Sequence, residues 1–405
     1  MRPITIHYSF RPVRRSLATG RVADLFGLAA EEPPHVIADG VVLDIRTGDL
    51  VLFTGPSGSG KSSLLRTAGR ELGAVDAVSV DLSDRPIVDL MPGSIEARLQ
   101  LLAACGLSEA RLLLRAPAEL SDGQRYRFRL AHALATGSSW IMADEFAGNL
   151  DRTLAKVLAF NLRKLVTRTG TGVLLATTHN DLTADLRPDL HVYCRGDGEI
   201  RQIRDDSARR PRAISFAREL SVAEGSAADW PNFARWHYRS HRLCFIKRVV
   251  LLTHGSEPIG ICIFNAPAAA LAARSRHFGL KSPRSRLALQ ALNEQLWLLS
   301  RVVIHPIYRG AGIAADFVRR ACTSCPVPWI ETLTAMGHAN PVFERAGFVR
   351  VGVVRKPGDE RGYGRQFGPT GKCNRETRRR SRWSEPVYYV FDNRKCGAGR
   401  ANGLA

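Results

Sequence analysis

The sequence Gly55-Pro56-Ser57-Gly58-Ser59-Gly60-Lys61-Ser62-Ser63 decides the fold of the first half of this chain. It follows the apolar run Leu50 to Phe53 and precedes a segment with helical spacing. Glycines at these positions let backbone N–H groups and a helix N-terminus face a phosphate, while Lys61 adds positive charge and Ser62 a magnesium ligand. We therefore predict a loop that binds nucleotide phosphates. The residues assigned to it are Gly55, Ser57, Gly58, Gly60, Lys61, Ser62 and Ser63.

Length and composition indicate a globular protein with more than one domain. The chain has 405 residues, of which 45% are hydrophobic and 24% charged, and such a length can hold several hydrophobic cores. No apolar run approaches the roughly 18 residues that a membrane span requires, and the N-terminus lacks the apolar core of a secretory signal. We therefore expect a cytoplasmic protein without a membrane span.

Net charge and cysteine content limit the classes of partner and ligand that the protein can have. The net charge of +20 favours phosphate-bearing ligands, so RNA or DNA is a candidate partner, with a merely arginine-rich soluble protein as the alternative. The eight cysteines fit reduced thiols in a reducing compartment. Only Cys322 and Cys325 have the spacing of metal ligands. With Cys373 and Cys396 they would make a four-thiolate zinc site, unless they are ordinary buried thiols.

Three motifs follow the phosphate loop. Leu120-Ser121-Asp122-Gly123-Gln124 opens a helix, where a hydroxyl and free N–H groups offer a second anion site. A short apolar strand ends in Asp144 and Glu145; one carboxylate can hold the magnesium water shell while the other polarises an attacking water. A further apolar strand ends at His179, which can contact the γ-phosphate. Together the motifs predict phosphoryl-transfer chemistry.

Residues 20–205 resemble an ATP-binding-cassette (ABC-type) ATPase, because these motifs stand in that family's order. The resemblance implies ATP and Mg²⁺ as cofactors and a head-to-tail homodimer, in which Ser121 and Gly123 of one subunit close on ATP held by the other. The roles that it assigns are Ser62 and Asp144 as magnesium-side ligands, Glu145 as general base and His179 as the γ-phosphate switch.

The chain departs from the ABC pattern in two places. No glutamine stands between Asp81 and Pro92, where the family's Q-loop is expected, so Asp81 or Asp84 is a candidate substitute. The segment between Lys61 and Ser121 is also short. Because transporter cassettes dock their membrane partner there, both departures favour a soluble mechanical ATPase over a transporter subunit. Upstream, Phe26 is either a core residue or a stacking partner for adenine.

A second domain follows an arginine-rich linker over residues 206–219. A helix from Trp230 to His241 either contacts nucleic acid or packs Trp236 inward. Leu296 to Ile304 reads as a buried strand that leads into Arg309-Gly310-Ala311-Gly312-Ile313-Ala314, where small residues open a helix. This is a second cradle for a pyrophosphate, without the Lys and Ser of a triphosphate loop.

Residues 220–393 resemble a GNAT-family N-acetyltransferase, on the Arg-Gly-Ala-Gly-Ile-Ala stretch and on Phe343-Glu344-Arg345-Ala346-Gly347-Phe348 near the end. The resemblance implies acetyl-CoA as cofactor. Its pyrophosphate would lie on backbone amides, and its pantetheine arm along the strand edge at Val303. The residues implied to bind it are Val303, Arg309, Gly310, Gly312 and Ala314.

Acetyl transfer needs a base and an acid. Glu331 is the first candidate for the base, with His338 or Ser300 behind it. Phe343 stands where many family members carry a tyrosine acid, so a GNAT fold that only binds a coenzyme or partner is the alternative.

The predicted fold class is α/β, with an ABC-type P-loop NTPase domain over residues 1–205 followed by a mixed α+β GNAT acyltransferase domain over 220–405. Residues 355–384 form a basic insertion around Arg378 to Trp383, either facing nucleic acid or solvated. The predicted function is an ATPase coupled to acetyl-CoA-dependent N-acetyl transfer onto a macromolecule. The alternatives are a nucleic-acid ATPase with a non-catalytic GNAT module, a protein N-acetyltransferase and, behind them, a transporter ATPase subunit.

Overall fold

The structure is a computed structural model that describes residues 2–8, 16–28, 34–79, 83–196, 198–237, 243, 245–280, 285–354 and 385–397. Asp81, Cys373 and the basic insertion at 355–384 lie outside the described residues. The chain divides into two compact units, Met1–Ser215 and Phe216–Ala405. No helix in the described ranges combines the length and apolarity needed to cross a bilayer.

Six described strands form the central sheet of the first unit, in the order β4-β5-β6-β3-β7-β8. All neighbouring pairs are parallel except β7 with β8. The innermost strands are fully buried runs of apolar residues, as expected for a parallel sheet covered on both faces. The strands are β3 (Leu50–Thr54), β4 (Val75–Asp76), β5 (Trp140–Ala143), β6 (Gly172–Ala176), β7 (Leu190–Gly196) and β8 (Glu199–Arg204).

A separate antiparallel pair precedes this sheet: β1 (Ile4–Tyr8) with β2 (His35–Val41), as predicted for the first 50 residues. The helix between them, α1 (Leu17–Phe26), buries none of its residues, and Phe26 at its end is 76% exposed. The sequence predicts a strand over residues 77–81, and this position is wrong. Strand β4 ends at Asp76, and a 3₁₀ turn, Ala77–Ser79, follows it.

The helices of the first unit follow the predicted motifs. The helix after the phosphate loop begins at Lys61 and ends where Gly73 adopts a left-handed conformation, and Asp151 caps the N-terminus of the longest helix. The helices are α2 (Lys61–Leu72), α3 (Ile87–Leu90), α4 (Ile95–Ala104), α5 (Ala110–Leu113), α6 (Asp122–Ala135), α7 (Arg152–Thr169) and α8 (Thr183–Leu186).

The segment predicted as a linker is held to the first unit as far as Ser215. Ser215 donates both its N–H and its hydroxyl to Asp185, at 2.8 and 2.7 Å. Arg209 donates to Asp189 at 3.1 Å, and Arg187 reaches the carbonyl of Ser207 at 2.6 Å. The division between the units therefore falls inside the predicted linker, after Ser215.

Seven described strands form one mixed sheet in the second unit, ordered β14-β15-β13-β12-β11-β10-β9. Neighbours are antiparallel except β12 with β13. Strands β10 and β11 form an antiparallel hairpin, as the turn residues His254 to Glu257 predict. The strands are β9 (Leu220–Gly225), β10 (Ile246–His254), β11 (Glu257–Asn265), β12 (Leu296–Ile304), β13 (Trp329–Thr334), β14 (Val349–Val353) and β15 (Val387–Asp392).

The helix predicted from Trp230 to His241 is shorter than expected, ending at Ala234, and residues 238–242 lie outside the described ranges. Trp236 packs against the core of the sheet beside Phe233, which favours the packing interpretation for this residue. The helices of this unit are α9 (Trp230–Ala234), α10 (Ala272–Phe278), α11 (Arg286–Gln295), α12 (Ala314–Thr323), α13 (Val342–Ala346) and α14 (Arg394–Gly397).

Candidate functional site

The candidate nucleotide site lies where three neighbouring parallel strands end. Strands β5, β6 and β3 are adjacent, so the segments that follow them meet at one edge of the sheet. Backbone hydrogen bonds tie these ends together: Phe146 N–H donates to Ala176 at 2.7 Å and Thr177 N–H donates to Phe53 at 3.0 Å. The phosphate loop, the acidic pair and the histidine segment are thus brought together.

Two glycines of the phosphate loop are required by close packing. A Cβ on Gly55, whose φ is 147°, would lie 1.9 Å from the carbonyl oxygen of Cys194. A Cβ on Gly60, whose φ is 84°, would lie 2.1 Å from the Ile37 side chain. Only glycine therefore lets the backbone pass here with its N–H groups turned outward.

The unused polar groups of this loop fit a bound triphosphate. Helix α2 has no side-chain cap on its N-terminus, which leaves its first N–H groups available to an anion. The hydroxyl of Ser59 has no hydrogen-bond partner although the residue is 7% exposed. Lys61 donates to the Pro56 carbonyl at 2.6 Å, so its ammonium lies over the loop. The donors of the loop suit the β- and γ-phosphates of ATP.

The predicted metal ligands contact each other. The hydroxyl of Ser62 donates to Asp144 Oδ1 at 3.0 Å, and these oxygen ligands are of the kind that Mg²⁺ prefers. Arg66 donates to the other oxygen of Asp144 at 3.1 Å. Sequence reasoning missed Arg66, although its spacing of four residues from Ser62 places both on one helix face. Arg66 and Ser62 together orient the carboxylate.

Glu145 follows Asp144 in an unusual backbone conformation. Its φ is 50°, its side chain is exposed, and its N–H donates to Asp144 at 3.0 Å. Ala147 also has a positive φ, of 58°. Positive φ at non-glycine residues is strained and persists where the surrounding structure fixes it, which is common at functional sites. This turn directs the Glu145 carboxylate away from the core.

His179 lies just beyond the end of β6 and is half-buried. Its N–H donates to the hydroxyl of the buried Thr177 at 3.2 Å, which fixes the local backbone. Two residues further, Asp181 forms an ion pair with Arg152 at the start of α7, and the hydrogen bond from Arg152 lowers the pKa of Asp181. The histidine segment is thus anchored on both sides of His179.

The signature loop occupies a different position. Ser121 is exposed and caps α6 in a reciprocal arrangement with Gln124, at 3.1 and 3.4 Å. Gly123 packs closely against Leu150, where a Cβ would lie 3.1 Å from the leucine side chain. No described hydrogen bond joins Ser121 or Gly123 to the phosphate loop of the same chain. The prediction that they serve a second subunit remains a prediction.

The structure adds little to two other predictions for this site, those for Asp84 and Phe26. Asp84 is exposed just before α3. Phe26 shows no described aromatic contact at the exposed end of α1, so its role in stacking on adenine also stays a prediction.

A buried histidine supports the phosphate loop from below. His191 on β7 lies 2.8 Å from the hydroxyl of Thr54, the residue before Gly55, and stacks on Tyr193 with ring centroids 3.8 Å apart. Both Thr54 and His191 are buried. Burial lowers the pKa of His191 to about 4, because an imidazolium would lose its hydration there. The imidazole is therefore neutral at physiological pH.

This histidine makes the first unit acid-sensitive. In the unfolded chain His191 binds a proton below its ordinary pKa of 6.5, whereas in the folded chain it binds one only below about pH 4. We expect the His191 contribution to be intact above pH 6.5 and to fall by up to about 3 kcal/mol by pH 4. Urea unfolding of the wild type and of His191→Gln between pH 7.5 and 4.5 measures it. Equal pH slopes for the two proteins would contradict the assignment.

In the second unit, the predicted pyrophosphate cradle is a tight loop at a helix start. Gly310 and Gly312 have φ values of 94° and 81°. Helix α12 begins at Ala314 without a side-chain cap on its first N–H groups. Arg309 donates to the carbonyl of Ile304 at 2.9 Å, which holds the loop against the end of β12. Asp316 in the first turn pairs with Arg319 at 2.6 Å, which offsets its repulsion of an anion.

Strands β12 and β13 separate directly before this loop. They pair only from Leu296 with Trp329 to Leu298 with Glu331. Just beyond that point the hydroxyl of Thr332 on β13 still donates to the Leu299 carbonyl on β12, at 2.9 Å. Val303 lies on the separated part of β12, buried and paired with β11 at Ile261. The edge of β12 predicted to line a thioester arm is therefore not covered by β13.

The surroundings of Glu331 do not favour its predicted role as a general base. Glu331 is 1% exposed, and Arg274 donates to both of its oxygens, at 2.9 and 2.5 Å. The hydroxyl of Tyr388 also donates to Glu331, at 2.9 Å. Burial raises the pKa of Tyr388, and the negative charge of Glu331 raises it further. A carboxylate with its lone pairs engaged in a buried ion pair cannot reach a substrate amine. Arg274 and Tyr388 gave no sequence signal, because they are far from Glu331 in the chain.

The remaining candidates are placed as follows. Ser300 donates to Asn265 and to the Ile263 carbonyl, and His338 contacts the Glu385 carbonyl at 2.7 Å. Phe343 is buried against Phe348 and Tyr389. Of the cysteines in the zinc prediction, Cys322 and Cys325 are buried thiols. No metal-ligating cluster occurs in the described part of the chain.

The chain is similar in sequence to known ATP-binding proteins. The lipoprotein-releasing system ATP-binding protein LolD of Novosphingobium aromaticivorans is 34% identical over 191 residues, covering 37% of this chain and 84% of the relative. The Fe(3+) ions import ATP-binding protein FbpC of Streptomyces coelicolor is 35% identical over 241 residues, covering 49% of this chain and 68% of the relative. A solved dimeric post-hydrolysis structure of an ATP-binding cassette with ADP and Pi shows 21% identity and a TM-score of 0.38, covering 52% of this chain and 98% of that one.

No protein-family model matches the chain. The family assignment rests on the sequence relatives, which agree with the ordered motifs that the fold brings to one sheet edge. The chain therefore belongs to the ATP-binding-cassette family of ATPases, which bind and hydrolyse ATP with Mg²⁺.

Proposed function

We propose that the first unit hydrolyses ATP in a homodimer and that the second unit transfers an acetyl group from acetyl-CoA to an amine. In the first unit, Lys61 and the amides of the phosphate loop hold the β- and γ-phosphates. Ser62 and Asp144 hold Mg²⁺, which neutralises phosphate charge when bound. Glu145 accepts a proton from the attacking water, and His179 contacts the γ-phosphate. These assignments are supported by the Ser62–Asp144 contact and the meeting of the three strand ends.

The dimer is supported by the position of the signature loop. Ser121 and Gly123 lie at the start of α6, and the only described cap on this helix comes from Ser121 itself and Gln124. Ser121 and Asp122 are exposed, and no hydrogen bond among the described residues joins this helix start to the phosphate loop of its own chain. A second copy of the chain, docked head to tail, would place this helix start against the nucleotide.

A single observation carries the acyl-CoA proposal: β12 stops pairing with β13 after Leu298, and the chain then leads from β12 to the uncapped start of α12. The bare edge of β12 can hydrogen-bond an extended pantetheine arm as a missing strand would. The loop amides and helix dipole at Gly310 to Ala314 can hold the pyrophosphate.

The proposed transfer forms a nitrogen–carbon bond and breaks the carbon–sulfur bond of the thioester. The amine loses a proton to a base, and the departing thiolate gains one. The buried ion pair of Glu331 with Arg274 argues against Glu331 as that base. The net charge of +20 favours a polyanionic acceptor such as RNA or DNA, which we include in the proposal as the macromolecule that carries the amine.

Direct binding of coenzyme A tests the proposal. We expect the wild type to bind acetyl-CoA in isothermal titration calorimetry, and Gly310→Val to weaken binding at least about tenfold, because a branched side chain disfavours φ near 94°. Gly279→Ala is the matched control, since Gly279 also has a positive φ, of 65°, but ends α10 in open space. Absence of wild-type binding would refute the acyl-CoA proposal.

A second candidate function follows from the names of the relatives, which are ATP-binding proteins of release and import systems. In that case the first unit would drive a membrane partner. The two functions separate in a pull-down from detergent-solubilised membranes: stoichiometric recovery of an integral membrane protein favours transport, and ATPase activity stimulated by RNA or DNA in its absence favours the first proposal.

A further inference from the structure

Three side chains of the second unit form a hydrogen-bonded chain that no predicted site uses. The Tyr308 hydroxyl lies 2.8 Å from Nδ1 of His254, and Nε2 of His254 lies 3.0 Å from a carboxylate oxygen of Glu219. We call Glu219, His254 and Tyr308 the relay. Tyr308 is 7% exposed, His254 ends β10, and Glu219 directly precedes β9. The relay thus joins three segments that are distant in the chain.

Aromatic packing holds the relay in place. The ring of Phe216 stacks on His254 with centroids 5.2 Å apart and meets Tyr308 edge-on at 5.7 Å. Phe216 itself is buried. With one face of the imidazole covered, its plane is fixed, so its two nitrogens point at Tyr308 and Glu219.

The contacts are mutually consistent in one protonation arrangement. A neutral imidazole has one acceptor and one donor nitrogen. Tyr308 donates its hydroxyl proton to Nδ1, and the Nε2 proton is donated to the Glu219 carboxylate, so all three groups are satisfied. A carboxylate behind a histidine fixes the tautomer and orientation of the ring, and here the ring in turn fixes the tyrosine.

Tyr308 is the residue immediately before the loop Arg309 to Ile313. The Ala311 N–H closes on the Tyr308 carbonyl at 3.3 Å, and the Tyr308 N–H donates to His305 at 3.0 Å. The Arg309 N–H donates to the Pro306 carbonyl at 3.2 Å, and two left-handed glycines, Gly310 and Gly312, follow. The side chain of Tyr308 therefore anchors one end of the loop, while Arg309 anchors it to the end of β12.

We propose that the relay of Glu219, His254 and Tyr308 is a positioning device that holds the loop at Arg309–Ile313 in its anion-binding conformation. The part of this proposal that concerns affinity for acetyl-CoA rests on the function proposed above. The part that concerns the order of the loop is independent of it. Tyr308 touches no reacting atom in this account. A preorganised loop binds its ligand more tightly because the cost of ordering it is met before binding.

Amide hydrogen exchange of the full chain without ligand tests the positioning role. We expect Tyr308→Phe and His254→Leu to raise exchange of residues 309–313 about tenfold, and to weaken acetyl-CoA binding by a similar factor, as for one lost hydrogen bond. His254→Asn keeps an acceptor in the place of Nδ1 and should restore most of the protection. Ser221→Ala is the matched control: it removes the 2.7 Å bond between Ser221 and Thr253 on the same two strands, one residue away from His254.

The outcomes separate the two proposals. Unchanged exchange at residues 309–313 in both Tyr308→Phe and His254→Leu overturns the relay, even if acetyl-CoA binds. Raised exchange in these two variants but not in Ser221→Ala, with no acetyl-CoA binding by the wild type, supports the relay and refutes the acyl-CoA function. Unfolding midpoints of the variants, compared with wild type, guard against a global loss of fold.

Discussion

Replacing Glu145 with glutamine is expected to lower ATP hydrolysis by about 10²- to 10⁴-fold while ATP binding persists, since a positioned general base contributes a factor of that size. Glutamine keeps the length and one oxygen of the side chain but cannot take a proton. The backbone φ of 50° at this residue should suit glutamine as well as it suits glutamate. Phosphate release at saturating ATP measures the effect.

The same variant tests the dimer. With hydrolysis blocked, we expect ATP to hold two chains together, so the sedimentation coefficient should rise with ATP and Mg²⁺ and return to that of the free chain after chelation. Glu199→Gln is the control, because Glu199 lies on β8 at the opposite edge of the sheet from β5. Near-normal hydrolysis by Glu145→Gln would remove Glu145 from the chemistry.

Arg274→Met is expected to destabilise the second unit by about 3–5 kcal/mol, because it leaves the Glu331 carboxylate buried without its counterion. Replacing the whole cluster, as Arg274→Met with Glu331→Leu and Tyr388→Phe, should recover most of that loss, since apolar side chains of similar size need no partners. Urea unfolding followed by tryptophan fluorescence reports on the sheet, where Trp329 lies two residues from Glu331.

Arg319→Met gives the comparison for an exposed pair: its partner Asp316 and Arg319 itself are each 52% exposed, so we expect a change below about 1 kcal/mol. The cluster also bears on chemistry. A stable Glu331→Gln protein with unchanged acetyl-CoA affinity but no acyl transfer would return Glu331 to the catalytic role that its burial denies.

The motifs of the ATPase half could be predicted from the sequence because each consists of residues close together in the chain. The phosphate loop, the signature loop and the acidic pair are each contiguous, and parallel strands of alternating βα segments end at one edge of a sheet. Arg66 was missed although its spacing from Ser62 pointed to it. The short strand at Val75 was misplaced because a two-residue strand has no periodicity of its own.

In the second unit the sequence indicated the loop at Arg309 but misjudged the carboxylate. Glu331 sits in a strand with apolar neighbours, a pattern that leaves its partners open. The partners are Arg274, 57 residues before it, and Tyr388, 57 residues after it. Tertiary packing alone turned a candidate base into half of a buried ion pair.

By itself the sequence determined the ABC family, the phosphate loop and the places where strands give way to helices, because these depend on residue types at short, fixed spacings. Only the tertiary structure decided that β12 leaves β13 after Leu298, that Glu331 is neutralised by Arg274, and that His254 joins Tyr308 to Glu219. The physical reason is that hydrogen bonds and ion pairs between distant segments depend on how sheets and helices pack, and side-chain order along the chain carries no record of that packing.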